Sequence, residues 1–258
     1  YKTILLNTNG ILLTEQSCEQ FAKYPGLTIT ISVEGSKALH DRLRGKGSYR
    51  KVLKGLEIGL AGGLDIIIFS LACRSLLQDL PQFTERLFSD YSGIQYLALS
   101  RLLESASGHH LVKNEFLSPK DFLNIVKTVS LLNLYGWPTA FIDEPLTNVI
   151  GDMLNLSGIP RSRALHCRGN LMVLADLTLS LSHTSKTFHR KYTAGSIKAL
   201  LSSKDYEQVV CANQNTCGTC RHAAFCCDNG LLRPVKTVSN SMTDSLFCQE
   251  VLNLAQAH

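Results

Sequence analysis

The segment LTITISVEG, Leu27 to Gly35, decides the fold. Its alternation of Thr and Ile is β-branched throughout, which favours a pleated strand, and Gly35 ends it. Upstream, Thr3 to Asn7 (TILLN) reads as a second buried strand, stopped by Asn9-Gly10. Between them, Thr14 to Lys23 reads as a helix with Thr14 as its N-cap. Downstream, Ser36 to Gly47 reads as a polar loop carrying His40, Asp41, Arg42, Arg44 and Lys46. Ser48 is then expected to cap a helix from Tyr49 to about Ala61, with Val52, Leu53, Leu56 and Leu60 at helical spacing. After Gly62-Gly63 come a strand from Asp65 to Leu71, a helix from Leu80 to Phe88 and a strand from Ile94 to Leu99. Strand and helix in strict alternation indicate parallel strands joined by helical crossovers, so the class is α/β: part of a (β/α) barrel or an open doubly wound sheet.

Further on, Ser118-Pro119 starts a helix that runs to about Leu134 and stops near Gly136-Trp137-Pro138. From about Pro160 the texture changes. Leu171 to Leu174 and Thr178 to Leu181 read as two strands around a turn at Ala175-Asp176, followed by a short helix from Ser196 to Leu201. The expected organisation is a strand–helix part over residues 1–160 and a small α+β, cysteine-rich part over 161–258. The 258 residues are 45% hydrophobic and 18% charged, which excludes a disordered chain. Twenty-six Lys and Arg against 21 Asp and Glu leave a net charge of +5, and no basic block marks a dedicated nucleic-acid binder. The most apolar stretch, Leu60 to Ala72, carries Asp65 and is too short for the ~20 residues that a membrane span needs. No secretory signal is recognisable.

Cysteine usage is lopsided. Cys18, Cys73 and Cys167 are isolated, whereas Cys211, Cys217, Cys220, Cys226, Cys227 and Cys248 crowd the end of the chain. An odd total and this clustering disfavour a disulfide framework and favour metal. Cys217, Cys220, Cys226 and Cys248 form C-x2-C-x5-C-x21-C. Two thiolates separated by two residues grip one tetrahedral metal or two corners of a cluster, so the four suit either a [4Fe–4S] cluster or structural zinc. Cys227 reads as a buried free thiol beside them, Cys211 as a further candidate ligand, and Cys18 and Cys73 as core thiols.

The order of several short motifs resembles one family. Thr8-Asn9-Gly10 followed by Ile11-Leu12-Leu13 is similar to the segment after the third strand of radical S-adenosylmethionine (radical SAM) enzymes. Ile31-Ser32-Val33-Glu34-Gly35 resembles their fourth-strand signature. His40-Asp41, Arg44 and Gly45-Lys46-Gly47-Ser48-Tyr49, leading into Val52 and Gly55, resemble the run that follows it. Asp205 to Cys248 resembles the C-terminal SPASM or twitch extension that holds auxiliary iron–sulfur clusters, and Asp244-Ser245-Leu246-Phe247-Cys248 looks like its ending. The resemblance covers nearly the whole chain.

This resemblance implies a partial (β/α) radical SAM-type barrel with a C-terminal auxiliary-cluster domain. It implies S-adenosylmethionine contacts at Asn9, Ser32, Glu34 and Arg44, with Glu34 toward the ribose and the arginines, Arg42 included, toward the carboxylate. Each has a plainer alternative: turn geometry for Asn9, a turn cap for Ser32, a solvated carboxylate for Glu34. It implies one auxiliary [4Fe–4S] cluster on Cys217, Cys220, Cys226 and Cys248. A second auxiliary set is incomplete: Cys167 matches its first ligand, but Leu177 stands where the pattern has glycine and Ser182 where it has cysteine. The implied activity is hydrogen abstraction from a peptide or protein side chain by a 5′-deoxyadenosyl radical, with flavodoxin or ferredoxin as electron donor, in a reducing cytoplasm. Tetrapyrrole substrates of alternative haem synthesis, and a non-catalytic iron–sulfur or zinc module, stay open. The family's C-x3-C-x2-C loop, which holds the radical-generating [4Fe–4S] cluster, has no match in this sequence. The expectation is a chain lacking the first two strand–helix units, which by itself does not turn over.

Overall fold

The computed structural model describes residues 3–102, 113–162, 171–180, 190–204, 206–207, 220–222, 226 and 244–257. The chain divides into two compact units: Tyr1–Leu102 with Val112–Phe141 and Leu156–Pro160, and Leu103–Leu111 with Ile142–Asn155 and Arg161–His258.

The first unit is built on a five-stranded parallel sheet in sequence order: β1 (Ile4–Thr8), β2 (Leu27–Ser32), β3 (Asp65–Ala72), β4 (Ile94–Arg101) and β5 (Thr139–Phe141). Between them run α1 (Glu15–Phe21), α2 (Lys37–Arg44), α3 (Ser48–Ala61), α4 (Arg74–Asp90) and α5 (Pro119–Leu134). One face of the sheet packs on helices. Ile29, Ile31, Ile66, Ile68, Leu97 and Leu99 point to that side and are completely buried. The period of two along each strand puts Thr28, Thr30 and Ser32 on the other face. β4 gains one residue between Ile94 and Leu97, a bulge that interrupts the alternation once and leaves both residues on the same face. β1 forms the edge. Its partner strand takes the N–H of Ile4, so alternate residues such as Leu5 and Asn7 turn their backbone groups outward, and Ile4, Leu5 and Leu6 are exposed.

Two glycines let α3 approach. Gly10, at φ 73, turns the chain after β1 where L side chains are strained. A Cβ on Gly55 would stand 1.9 Å from the Gly10 carbonyl oxygen, so the helix backbone rests directly on that turn.

Three elements differ from the sequence expectation. The polar stretch after Gly35 is not a loop but α2, because Ser36 accepts from the Leu39 N–H and the stretch buries Leu39 and His40. Ser48 does not cap α3. Gly47, in the left-handed conformation, is the N-cap, and Asp41 of α2 accepts the Tyr49 N–H at 2.8 Å instead. α4 starts at Arg74 rather than Leu80 and carries Pro81 inside it, because its first turn is satisfied by the Glu115 carboxylate, which takes the Ser75 N–H at 3.0 Å. The helix after Ser118 follows expectation, with Ser118 and Asp121 forming a capping box.

The second unit holds α6 (Leu146–Met153), a small antiparallel sheet of β6 (Met172–Val173), β7 (Thr178–Ser180) and β8 (Arg190–Lys191), α7 (Ser196–Leu201) and α8 (Asp244–Gln256). Leu179, Leu200 and Tyr206 form a local core. α6 and β8 are additions to the sequence expectation, and so is α8. It buries Phe247, Val251 and Ala255, one residue per turn, along a single face. Leu177 adopts φ 63 in the β6–β7 turn, the left-handed region that favours glycine, and it is the residue standing where the family pattern has glycine.

Candidate functional site

In parallel sheets, ligands meet the carboxyl ends of the strands, and here the ends of β1, β2 and β3 carry the candidate residues. Asn9 follows β1 and is exposed. Its Oδ1 accepts the Ile11 N–H at 3.2 Å, an Asx turn that supplies local geometry. Ser32 is the last residue of β2 and half-buried. Its hydroxyl makes no hydrogen bond among the described residues. The turn-capping role belongs to Ser36 instead.

Glu34 is not solvated. It is 1% exposed and its carboxylate is fully engaged. Oε1 accepts from Arg44 Nε at 3.0 Å and from Arg44 Nη2 at 2.5 Å. Oε2 accepts the Leu71 N–H at 2.8 Å and the Ser70 hydroxyl at 3.2 Å. The Glu34 N–H donates to His40 Nδ1 at 3.0 Å, which places the proton of a neutral imidazole on Nε2. Burial holds the His40 pKa below its ordinary value, with the opposing pull of Glu34 smaller. Glu34 therefore ties β2, α2 and the end of β3 together, and Arg44 spends its fork on that tie.

A second clamp lies alongside. Arg42 donates to Glu115 at 2.6 Å, and the same Oε1 accepts the Ser75 hydroxyl at 2.8 Å. Burial raises the Glu115 pKa, but the Ser75 N–H and hydroxyl and the Arg42 charge outweigh it, so the carboxyl stays below the usual range. Cys73, buried at the start of α4, has its thiol pushed up to about 12, chiefly by desolvation. Both arginines of α2 are thus anchored on carboxylates near the top of β3.

The second face of the sheet, which carries Thr30 and Ser32, was not singled out from the sequence. Following the register, Ser32, Phe69, Ala98 and Ala140 lie side by side, with Asn7 and Thr30 one step below and Leu71 and Ser100 one step above. Thr30 and Ala98 are buried, while Ser32, Phe69, Leu71, Ser100 and Ala140 are half-buried. The surface offers hydroxyl and amide groups on one side and apolar contact on the other, with no charge. It suits a neutral polar ring system or an extended backbone. The Thr-x-Thr-x-Ser alternation of β2 is the sequence signal that could have found it.

The cysteine set is only partly visible. Cys220, Cys226 and Cys248 are of intermediate burial and lie in the second unit. Cys248 stands on α8, and the Cys226 N–H donates to the His222 carbonyl at 3.2 Å. Cys167, Cys211, Cys217, Cys227, Ser182 and Asp205 lie outside the described residues. Among the described residues, no group of three or more His, Cys, Asp or Glu is placed to hold a metal. The donor chemistry of the thiols fits iron or zinc, but Cys220, Cys226 and Cys248 do not gather at one centre.

Solved structures resemble this fold over almost all of the chain. A structure titled as anSMEcpe with bound AdoMet matches at a TM-score of 0.66 and 15% identity, covering 99% of this chain and 76% of that one. The chain shares its fold. A second structure of the same protein, with AdoMet and the Kp18Cys peptide, matches at 0.64 and 15% identity over 99% of this chain and 76% of that one. Streptococcus suis SuiB bound to S-adenosylmethionine matches at 0.54 and 10% identity, covering 80% of this chain and 49% of SuiB, so the chain spans about half its length. No protein-family model matches the chain, and no curated protein matches it. Among the described residues no helix is long and apolar enough to cross a membrane.

Proposed function

We propose that this chain is the substrate-side portion of a radical SAM oxidoreductase that modifies a peptide or protein side chain. The observation that carries this reading is the fold shared with anSMEcpe and SuiB, both solved with S-adenosylmethionine bound. Peptide rather than tetrapyrrole is favoured by the Kp18Cys peptide in one of those structures.

In this reading, the hydroxyl-lined face of the sheet receives S-adenosylmethionine. Ser32 and Asn9 are the contacts, since the Ser32 hydroxyl has no partner within the described protein. Glu34 and Arg44 hold the strand ends in place, and Arg44 meets a ligand carboxylate only by exchanging away from Glu34. The radical-generating [4Fe–4S] cluster belongs to a C-x3-C-x2-C loop that this sequence does not contain, so activity requires that loop from elsewhere. The auxiliary [4Fe–4S] cluster is assigned to Cys217, Cys220, Cys226 and Cys248, with flavodoxin or ferredoxin as the electron source. A cluster bound by thiolates supplies one-electron chemistry at a potential tuned by burial and hydrogen bonds.

Anaerobic reconstitution with iron and sulfide tests the reading. The expected product is a brown protein with broad visible absorbance, lost in a Cys217→Ala/Cys220→Ala variant. S-adenosylmethionine titrated calorimetrically into the reconstituted chain should bind, and Ser32→Ala should weaken it. A colourless protein carrying stoichiometric zinc and indifferent to S-adenosylmethionine would point to the non-catalytic binding module instead.

A further inference from the structure

The stretch from Ser36 to Lys54 carries seven Lys and Arg against the single Asp41, a net of +6 in a chain whose total is +5. With Glu57 included, Lys37 to Ala61, the span of α2 and α3, carries a net of +5, equal to that of the whole chain. Arg42 and Arg44 are committed to Glu115 and Glu34. Lys37, Lys46, Arg50, Lys51 and Lys54 are exposed and make no salt bridge among the described residues, and exposed Arg86 of α4 faces the same groove.

The helix orients these charges. Val52, Gly55, Leu56 and Gly59 are buried toward the sheet. Arg50, Lys51 and Lys54 occupy the opposite side, at positions that share one solvent face. Beside them lies an open depression of about 510 Å³ lined by Lys37, Tyr49, Arg50, Leu53, Lys54 and Glu57. It continues into a narrower groove that Tyr49, Leu53 and Phe83 line, with Asp79 and Asp90 on its walls. The floor is apolar, and the rim of the depression carries three cations, Lys37, Arg50 and Lys54, against Glu57.

We propose that this face of α3 docks an acidic protein segment that presents an apolar side chain between carboxylates. The carboxylates would meet Arg50, Lys54 and Lys37, and the apolar residue would enter between Tyr49 and Leu53. Charge complementarity selects such a segment and accelerates its arrival. Nucleic acid fits less well, because its unbroken negative charge would face Glu57, Asp79 and Asp90 in the same groove. The proposal is independent of the S-adenosylmethionine reading, since α3 presents this face away from the sheet.

The probe is a fluorescein-labelled oligoglutamate peptide with one central phenylalanine, followed by fluorescence anisotropy with the intact chain. Binding should weaken with added salt, should fall roughly tenfold or more in an Arg50→Glu/Lys54→Glu variant, and should fall again when serine replaces the phenylalanine of the peptide. Both substitutions are on exposed positions, and circular dichroism checks that the fold is kept. Equal peptide binding by wild type and variant would overturn the proposal. So would failure to bind the peptide while oligo-dT or phosphatidylserine vesicles are retained.

Discussion

Replacing Gly55 by alanine sets two physical effects against each other. In an exposed helix the change would stabilise by about 1 kcal/mol, because glycine is the poorer helix former. Here the new Cβ would lie 1.9 Å from the carbonyl oxygen of Gly10 and 2.9 Å from its carbonyl carbon. A carbon and a carbonyl oxygen tolerate about 3.3 Å, so the two backbones must separate by about 1.4 Å. No rotamer change relieves this, since both partners are main chain. Gly10 cannot retreat freely, because a left-handed turn fixes it over Ile31 and Val52. Overpacking of this kind costs about 1–3 kcal/mol and falls at the upper end where the obstacle is backbone. The net expectation is a loss of about 2 kcal/mol, or roughly 4–8 °C in midpoint for a chain of this length. Thermal unfolding followed by circular dichroism measures it. Gly59→Ala on the same helix is the control, since its Cβ would crowd the movable Ile66 Cδ1 at 2.8 Å and otherwise meet Leu13 and Leu64 side chains at ordinary contact distance, and it should lose much less. A Gly55→Ala midpoint equal to or above wild type would refute the close approach of α3 to the β1 turn.

Acid should loosen the first unit at its helix starts. Asp41, held down by the Tyr49 and Gly47 N–H groups, and Glu115 and Asp121, whose burial is outweighed by serine hydrogen bonds and arginine charge, all have depressed pKa values. Their contribution is complete above the unfolded carboxyl pKa and disappears as pH falls through the lower folded values, so denaturant midpoints should be flat near neutrality and drop below about pH 4. An acid-insensitive midpoint would contradict the capping geometry. Leu177→Gly should stabilise the second unit: relief of left-handed strain is worth about 1–2 kcal/mol, and the unfolded-state entropy of glycine returns roughly half of it. Leu177 is exposed, so little burial is lost, and a lowered midpoint in urea would show that the turn is not strained.

Much of the sheet was legible because its residues speak locally. The Thr-Ile alternation of β2 and the isoleucine run of β3 admit few other readings, and Ser118-Pro119 with Asp121 announces a helix start on its own. What was missed depends on partners distant in sequence. The caps of α3 and α4 come from Asp41 and Glu115, so Ser48 and Leu80 were natural but wrong starting points. The charges of α2 disguised a helix whose apolar contribution is only Leu39 and half-buried Leu43. In the site, Glu34 and Arg44 stood out separately, yet nothing in their spacing said that each consumes the other. Reading Cys248 as the end of a motif hid the regular spacing of Phe247, Val251 and Ala255 that makes α8.

The edge strand has a consequence for handling the protein. Leu5 and Asn7 hold out main-chain donors and acceptors, flanked by exposed Ile4 and Leu6, and no lysine or proline lies between Ile4 and Thr8. Such an edge recruits any extended chain that reaches it, including the same strand of another molecule. Intermolecular sheet growth at β1 is then an expected route to aggregation, and Leu5→Lys should reduce it without touching the buried isoleucines.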